Sequence, residues 1–306
     1  MKISMIGAGR VGSTTLYTLL LGGDASEMVI VDIDKARAEG EALDLRHALS
    51  VTNNCKISSG DYDATEGSDM VIITAGIPRK PGDTRLDLLK KNTELMQGIL
   101  DGVLKYNKDC FLFMVSNPVD VLTYQALKSS GFPTQRVFGL GTVLDTNRFR
   151  SLLGEWLGVS PDQVTAYMVG EHGDSMVPLL SRALVAGVPL AEFPGYSREK
   201  LDELVTATRF GGAEVIKRKG GTFYSVAPSI VSVVRAVIYD QKRVLPISSL
   251  IDGQYKELAG MTISLPTIVG KAGREKVLDP MFSQAEEADF RNSLRVLREA
   301  ADSVGL

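Results

Sequence analysis

Residues 2–12 read KISMIGAGRVG, a short β-rich run that turns directly into a glycine-rich segment. Gly7, Gly9 and Gly12 have the spacing G-x-G-x-x-G, and the apolar pattern after them predicts that a helix begins at once. Asp32 lies 20 residues after Gly12, at the end of the second predicted strand. A strand, this turn, a helix and an acidic residue at this distance are together typical of a dinucleotide-binding unit.

Each part of this unit has a physical reason. Gly7 permits a tight turn, Gly9 lets the backbone approach a pyrophosphate, and Gly12 allows close helix–strand packing. The helix N-terminus supplies N–H groups and partial positive charge for the phosphates. Asp32 would accept hydrogen bonds from the ribose hydroxyls and repel a 2′-phosphate, which predicts NAD rather than NADP. The predicted cofactor-binding residues here are Gly7, Gly9, Arg10, Val11, Gly12 and Asp32.

The rest of the first half continues the alternation of strands and helices. Buried strands are predicted at Met28–Ile33, Asp69–Ala75, Cys110–Ser116 and Arg136–Gly141, with helical patterns between them. Pro118 is expected in the first turn of a helix, where its missing N–H has no partner to lose. Strands separated by helical segments predict an α/β protein with the doubly wound parallel sheet of a Rossmann fold.

The rhythm changes in the second half of the chain. Val164–Val169 and Thr262–Val269 are predicted as strands and Glu286–Val304 as a closing amphipathic helix, without regular alternation. This pattern predicts an α+β domain. The expected organisation is an NAD-binding α/β domain at residues 1–142 and an α+β domain at residues 143–306, and the family resemblance described below implies that the second is the substrate-binding, catalytic domain.

The composition excludes several classes of protein. The 306 residues include 34 Lys and Arg against 37 Asp and Glu, a net charge of −3, and 44% are hydrophobic. These ordinary values argue against disorder and against a nucleic-acid binder. Two cysteines and two histidines are too few for a disulfide scaffold or a zinc site, and no metal is expected. Because no apolar run reaches the length of a membrane span, we expect a cytoplasmic protein without membrane partners.

Three polar segments are candidates for chemistry, and the first two centre on one histidine and one ion pair. His172 follows a predicted strand, is flanked by Gly170 and Gly173, and could be catalytic or only structural. Asp145 and Arg148 lie three residues apart on a predicted helix and therefore share a face. They could orient an imidazole and grip a carboxylate, or could form only a surface ion pair.

The third segment is the loop at residues 77–85, which carries Arg79, Lys80 and Arg85. It directly follows a predicted strand, at the carboxyl edge where doubly wound folds bind ligands. Its proline and glycine content suits a hinged lid, and a plain solvated loop is the alternative.

Several segments together resemble the lactate/malate dehydrogenase superfamily over essentially the whole chain. They are GAGRVG (7–12), VDID (31–34), AGIPRKPGDTRLDLLKKN (75–92), VSNPVD (115–120), GLGTVLDTNRFR (139–150), GEHGDS (170–175) and KGGTFYS (219–225). The resemblance implies a Rossmann domain followed by an α+β substrate domain, with NAD as cofactor and a small-molecule 2-hydroxy acid as substrate. It also implies a homo-oligomer, either a tetramer or a dimer. A nucleotide-binding protein that keeps the fold without catalysis is the non-enzyme alternative.

The resemblance further implies roles for individual residues. His172 would exchange the proton on the substrate oxygen, and Asp145 would orient and stabilise its ring. Arg148 would pair with the C1 carboxylate, and Arg85 would polarise the reacting carbonyl. The remaining implied site residues are Asn117 and Thr222 for the substrate, and Ala75, Gly76, Asn92, Val115 and Asn117 for the cofactor.

One position of the predicted lid separates the two main branches of the superfamily. Six residues before Arg85, lactate enzymes usually carry Gln, whereas this chain has Arg79. A second guanidinium would meet the second carboxylate of oxaloacetate, and with pyruvate it would be left buried and unpaired. Residues 174–178 also resemble malate enzymes, and together these features predict a malate dehydrogenase of the tricarboxylic acid cycle. Segments 82–87 and 139–150 resemble lactate enzymes instead, so an L-lactate or other 2-hydroxy-acid dehydrogenase is the alternative.

Overall fold

The computed structural model describes residues 1–78, 84–251 and 260–306. Within this part of the chain, the first half supplies six strands to one main sheet: β1 (Lys2–Ile6), β2 (Glu27–Val31), β3 (Lys56–Ser59), β4 (Met70–Ile73), β5 (Phe111–Met114) and β6 (Val137–Gly139). They are parallel, in the order β3-β2-β1-β4-β5-β6. The strand order reverses between β1 and β4, so the predicted Rossmann-type α/β sheet is confirmed.

Helices cover both faces of this sheet. Those of the first half are α1 (Arg10–Gly22), α2 (Lys35–His47), α3 (Arg85–Tyr106) and α4 (Val119–Ser130). In β4, Met70 and Ile72 pack into the same core as α1 and α2, whereas Val71 and Ile73 pack with α3 and α4. Because β4 and β5 are buried on two sides, their residues are apolar without a break, as the sequence pattern predicts.

The second half builds smaller antiparallel sheets and four further helices among the described residues. Its helices are α5 (Val143–Leu157), α6 (Arg198–Lys219), α7 (Val226–Ile238) and α8 (Gln284–Asp302). Its strands are β7 (Val164–Thr165), β8 (Met168–Val169), β9 (Val177–Pro178), β10 (Leu184–Val185), β11 (Val188–Pro189), β12 (Arg243–Leu245), β13 (Ser248–Leu250), β14 (Thr262–Ser264), β15 (Thr267–Gly270) and β16 (Gly273–Val277). The small sheets have the orders β11-β10-β7, β12-β15-β16 and β8-β9.

Two strands of the second half return to the main sheet, which the sequence analysis did not predict. β13 pairs antiparallel with β6, and β14 pairs antiparallel with β13. The strand predicted at Thr262–Val269 is therefore two strands in different sheets, with Pro266, which has no N–H to donate, at the break. The strand predicted at Val164–Val169 is likewise divided between β7 and β8.

Two predicted boundaries also move by a residue or two. β2 ends at Val31 rather than at Ile33, whose side chain is fully exposed. Pro118 occupies the position just before α4 instead of its first turn, and its peptide bond with Asn117 is cis. The helix nevertheless begins directly after this proline, so the carboxyl end of β5 leads straight into α4.

An ion pair between buried Asp24 and partly exposed Arg235 joins α7 to the segment that directly follows α1. Asp24, 3% exposed, accepts from Arg235 Nε at 2.9 Å and from Tyr239 Oη at 3.1 Å. Ile230 and Val234 of α7 extend the same apolar core as α1 and α2. A helix of the second half therefore covers the first half's sheet. It also packs against α1, the helix that follows the glycine-rich turn.

No helix in the described ranges is long and apolar enough to cross a membrane. The predicted cytoplasmic location goes beyond this finding and stays a prediction. Cys55 and Cys110 are buried and are not joined by a disulfide. Residues 1–78, 84–251 and 260–306 contain no group of three or more His, Cys, Asp or Glu side chains that could hold a metal ion.

Candidate active site

The glycine-rich turn lies where β1 ends and α1 begins. Gly7 has φ +111°, and a Cβ there would lie 2.7 Å from the amide nitrogen of Ala75. A Cβ on Gly12 would overlap the carbonyl oxygen of Gly7. Gly9 differs, because a Cβ on it would meet nothing within 4 Å. Packing thus explains Gly7 and Gly12, whereas the open space beside Gly9 fits a group that approaches the backbone from outside, as a pyrophosphate does.

The carboxylate of Asp32 is fixed beside this turn. Its Oδ2 accepts the N–H of Ala8 at 2.6 Å, and its Oδ1 accepts the N–H of Asp34 at 2.9 Å. Each carboxylate oxygen keeps a further lone pair for a ribose hydroxyl. The negative charge at this point suits a free 2′-hydroxyl and opposes a 2′-phosphate. The carboxylate of Asp32 therefore fits NAD.

The other residues predicted to bind the cofactor lie along the carboxyl edge of the sheet. Ala75 and Gly76 follow β4, and half-buried Val115 and exposed Asn117 follow β5. Asn92 is 2% exposed and has its amide group engaged, since Oδ1 accepts from Ile77 N at 2.8 Å and Nδ2 donates to Ile77 O at 3.1 Å. Asn92 of α3 therefore holds the segment after β4 against that helix.

His172 and Asp145 are in direct contact. Nδ1 of His172 lies 2.6 Å from Oδ2 of Asp145, and the two side chains are 22% and 2% exposed. Asp145 comes from the first turn of α5, and His172 lies just after β8. α5 is held to β8 because Thr146 Oγ1 accepts the N–H of Met168 at 2.9 Å and Thr142 Oγ1 donates to its carbonyl at 2.6 Å.

Arg148 contacts the other oxygen of the same carboxylate. Its Nη1 donates to Asp145 Oδ1 at 3.0 Å and to the carbonyl of Thr208 on α6 at 3.2 Å. Gly211 of α6 leaves room for this side chain, because a Cβ on Gly211 would lie 2.7 Å from Cδ of Arg148. Within the described chain, Nε and Nη2 make no hydrogen bond, so this half-buried guanidinium keeps donors for an external carboxylate.

Charge and burial set the pKa values of this cluster. Burial by itself lowers the pKa of His172, but the charge of Asp145 and the hydrogen bond to it raise that pKa to about 9. Burial raises the pKa of Asp145, and the contacts with His172 and Arg148 overcome this and bring it below its usual value. The histidine is therefore protonated at neutral pH and can give a proton to a developing alkoxide.

Arg85 and Thr222 lie in separate surroundings. Arg85 begins α3, is largely exposed, and forms an ion pair with Asp174 in the loop that carries His172. Thr222 is half-buried between α6 and α7 and has no hydrogen bond to another described residue. Arg10 reaches this segment from the glycine-rich turn, since its Nη1 donates to Lys219 O at 3.3 Å.

Sequence reasoning missed the residues that hold the histidine loop. Glu171 N donates to Ser293 Oγ at 2.7 Å, and the carboxylate of Glu171 accepts from the hydroxyl of Ser175. Asp120 of α4 accepts the main-chain N–H of His172 at 2.8 Å. The only sequence signal was that these acids lie in segments 115–120 and 170–175, which carry the family resemblance.

Comparison with known proteins now adds the family. The model described as lactate/malate dehydrogenase, NAD binding domain, matches residues 1–139. The model described as lactate/malate dehydrogenase, alpha/beta C-terminal domain, matches residues 142–305. The chain belongs to the lactate/malate dehydrogenase family. It is an NAD-dependent dehydrogenase of that family, and the predicted cofactor NAD is confirmed.

Named relatives bear on the substrate. The L-lactate dehydrogenase of Acetivibrio thermocellus is 44% identical over 306 residues, covering 97% of this chain and 95% of that protein. The crystal structure of minor L-lactate dehydrogenase from Enterococcus mundtii has a TM-score of 0.96 at 35% identity, covering 100% of this chain and 98% of that one. The malate dehydrogenase from Picrophilus torridus reaches 0.94 at 35% identity, covering 99% and 97%.

The prediction of malate dehydrogenase, and with it of the tricarboxylic acid cycle, is wrong. The relatives matched at 42–44% identity over essentially the whole chain are L-lactate dehydrogenases, one of them named as probable. The malate prediction rested on Arg79, which lies outside the described residues together with Lys80 and the centre of the predicted lid, and on the resemblance of residues 174–178 to malate enzymes. These two features were set against segments 82–87 and 139–150, which already resembled lactate enzymes.

Gly9 gives a direct test of where the cofactor approaches the turn. Gly9→Ala is expected to leave the melting temperature unchanged and to weaken NADH binding about tenfold, because the added methyl occupies the approach to the backbone. Gly98→Ala on α3, where a Cβ also meets nothing, is the matched control and should keep NADH affinity. Fluorescence titration with NADH measures both. Equal affinity of the Gly9→Ala and Gly98→Ala variants would contradict the assigned approach.

Proposed function

We propose that this chain is an NAD-dependent L-lactate dehydrogenase that interconverts (S)-lactate and pyruvate, with His172 as acid and base. The observation that carries the proposal is the carboxylate of Asp145, which contacts His172 through one oxygen and Arg148 through the other. One proton carrier and one carboxylate-binding cation thereby stand side by side. The names of the full-length relatives support lactate as the substrate.

The proton step follows from the orientation of the imidazole. Asp145 holds the Nδ1 proton of His172, so Nε2 is the atom that exchanges a proton with substrate. In pyruvate reduction the protonated ring donates from Nε2 to the carbonyl oxygen, and in lactate oxidation the neutral ring takes that proton back. With the cofactor bound, C2 would receive a hydride from NADH in pyruvate reduction and would lose one to NAD⁺ in lactate oxidation. Gly9 and Asp32 would hold its diphosphate and its ribose.

Binding of substrate falls to the two arginines. Arg148 would bind the C1 carboxylate through Nε and Nη2, and Asp145 and Thr208 keep the guanidinium in place. Arg85 would leave Asp174 and donate to the carbonyl oxygen, where negative charge develops. Roles for Asn117 and Thr222 beside the substrate stay part of this proposal.

A panel of 2-keto acids tests the substrate. Pyruvate should have the highest kcat/KM in NADH oxidation followed by absorbance, ahead of 2-ketobutyrate and of oxaloacetate. His172→Asn should lower kcat by at least about a hundredfold, because it removes the general acid, and should leave NADH binding intact. Higher kcat/KM for oxaloacetate would contradict lactate as substrate, and near wild-type turnover of His172→Asn would remove the histidine from its role.

The same proposal includes a two-domain, oligomeric protein. We keep the division at residues 1–142 and 143–306, across which α7, β13 and β14 return to the first domain's sheet. Large apolar side chains that are 45–55% exposed lie on α1, α2 and α6, and a second copy would cover them: Tyr17, Leu21, Leu43, Phe210 and Ile216.

Sedimentation equilibrium measures the assembly directly. We expect a mass of two or four chains of 33.0 kDa at micromolar concentration, because these exposed apolar faces favour association. Raised salt should leave that mass unchanged, since the faces are apolar rather than charged. A single-chain mass across the concentration range would contradict the oligomer.

A further inference from the structure

A second carboxylate, that of Asp120, contacts the main chain of His172. Asp120 is 2% exposed and lies in the first turn of α4. Its Oδ2 accepts the main-chain N–H of His172 at 2.8 Å, and its carbonyl accepts from Thr262 Oγ1 at 2.5 Å. Asp120 therefore connects α4 and β14 to the residue that exchanges the proton.

The other carboxylate oxygen of Asp120 is not used in packing. Oδ1 is buried and has no hydrogen bond of good geometry among the described residues, although the hydroxyl of Ser248 on β13, likewise buried, lies close enough to stabilise its charge. Burying a carboxylate with an unsatisfied oxygen is costly. An asparagine or serine could accept one N–H at less cost, so its charge needs another explanation.

The charged groups around the histidine show what that charge does. From α5, Asp145 raises the pKa of His172 most, and Arg148 lowers it. From α4, Asp120 raises it further. In the loop itself, Glu171 faces Asp120 and raises the pKa of that carboxyl. The remaining charges at this edge, on Arg85 and Asp174, are largely exposed and paired with each other.

We propose that Asp120 is a positioning residue for the proton transfer. Its carboxylate fixes the main chain of His172, and its negative charge on α4 adds to that of Asp145 on α5 in stabilising the protonated imidazole. This inference rests on the proposed function, because it acts only through the role given to His172.

Asp120 and His172 titrate at different pH values, so there is a range of pH in which Asp120 is charged while His172 is protonated. Burial raises the pKa of Asp120 to about 6, against the opposing effect of Ser248 and His172. Above that pH the carboxylate is charged and supports the imidazolium, which loses its proton near pH 9. Below it Asp120 becomes neutral, a state that Asp120→Asn imitates at every pH.

The pH profile of pyruvate reduction tests this in the full chain. In Asp120→Asn, the high-pH decline of kcat/KM should move down by about one pH unit, since a nearby negative charge is lost while the acceptor for the N–H remains. NADH affinity should not change. The matched control is Asp101→Asn on the exposed side of α3, whose profile should superimpose on that of the wild type. Superimposable wild-type and Asp120→Asn profiles would overturn the inference.

A second measurement keeps the carboxylate and covers the case in which Asp120→Asn does not fold. The histidines are only His47 and His172, so ¹³C-labelled ring resonances of the intact protein are easily resolved. The His172 resonance should show a second inflection near pH 6, and Ser248→Ala should move it upward, because the hydroxyl of Ser248 lowers the pKa of Asp120. Absence of that inflection, or no movement in Ser248→Ala, would overturn the inference.

The two proposals fail in different ways. If His172→Asn still reduces pyruvate near the wild-type rate, the proposed function fails whatever Asp120→Asn does. If His172→Asn is inactive while Asp120→Asn follows the wild-type profile, only the inference about Asp120 is wrong.

Discussion

The carboxylate of Asp145 makes two contacts at once, and the rest of the site depends on them. One oxygen holds Nδ1 of His172, and the other holds Nη1 of Arg148. At 2% exposure, this carboxylate would be costly without both partners. In the proposed function one partner moves a proton and the other binds a carboxylate, so a single buried charge would set the distance between the two groups.

The fold places this carboxylate through contacts that are distant in sequence. Met168 bonds to Thr142 and Thr146, which fixes α5 against the strand before the histidine. Gly170, with φ +88°, exchanges two main-chain hydrogen bonds with Ser264 of β14. Because β14 is a strand of the main sheet, these hydrogen bonds fix the loop that carries His172 relative to that sheet. The carboxyl edge of the same sheet carries the glycine-rich turn.

Local patterns in the sequence were enough for the parallel sheet and the cofactor turn. The apolar runs of β4 and β5 and the spacing of Gly7, Gly9 and Gly12 each depend on neighbours a few residues away. The pairing of β13 with β6 joins residues more than a hundred apart, and the split at Pro266 depends on β14 and β15 entering two different sheets, neither of which periodicity encodes.

The site divides in the same way. His172, Asp145 and Arg148 were singled out because their segments resemble a family, and the structure brings their side chains into contact. Asp120 was missed, since nothing in its local sequence indicates that it meets the main chain of His172. Substrate choice was predicted wrongly because Arg79 was given more weight than the longer segments that resemble lactate enzymes.

The account depends most on Asp145 keeping His172 protonated, and ring NMR measures this without any substrate. With two histidines in the chain, His47→Gln leaves His172 as the single ¹³C-labelled ring to titrate. In this background we predict a His172 pKa near 9, and a pKa at or below the ordinary value of 6.5 once Asp145→Asn removes the charge and leaves the burial. A His172 pKa of 6.5 or lower with Asp145 intact, or one unchanged by Asp145→Asn, would contradict the account.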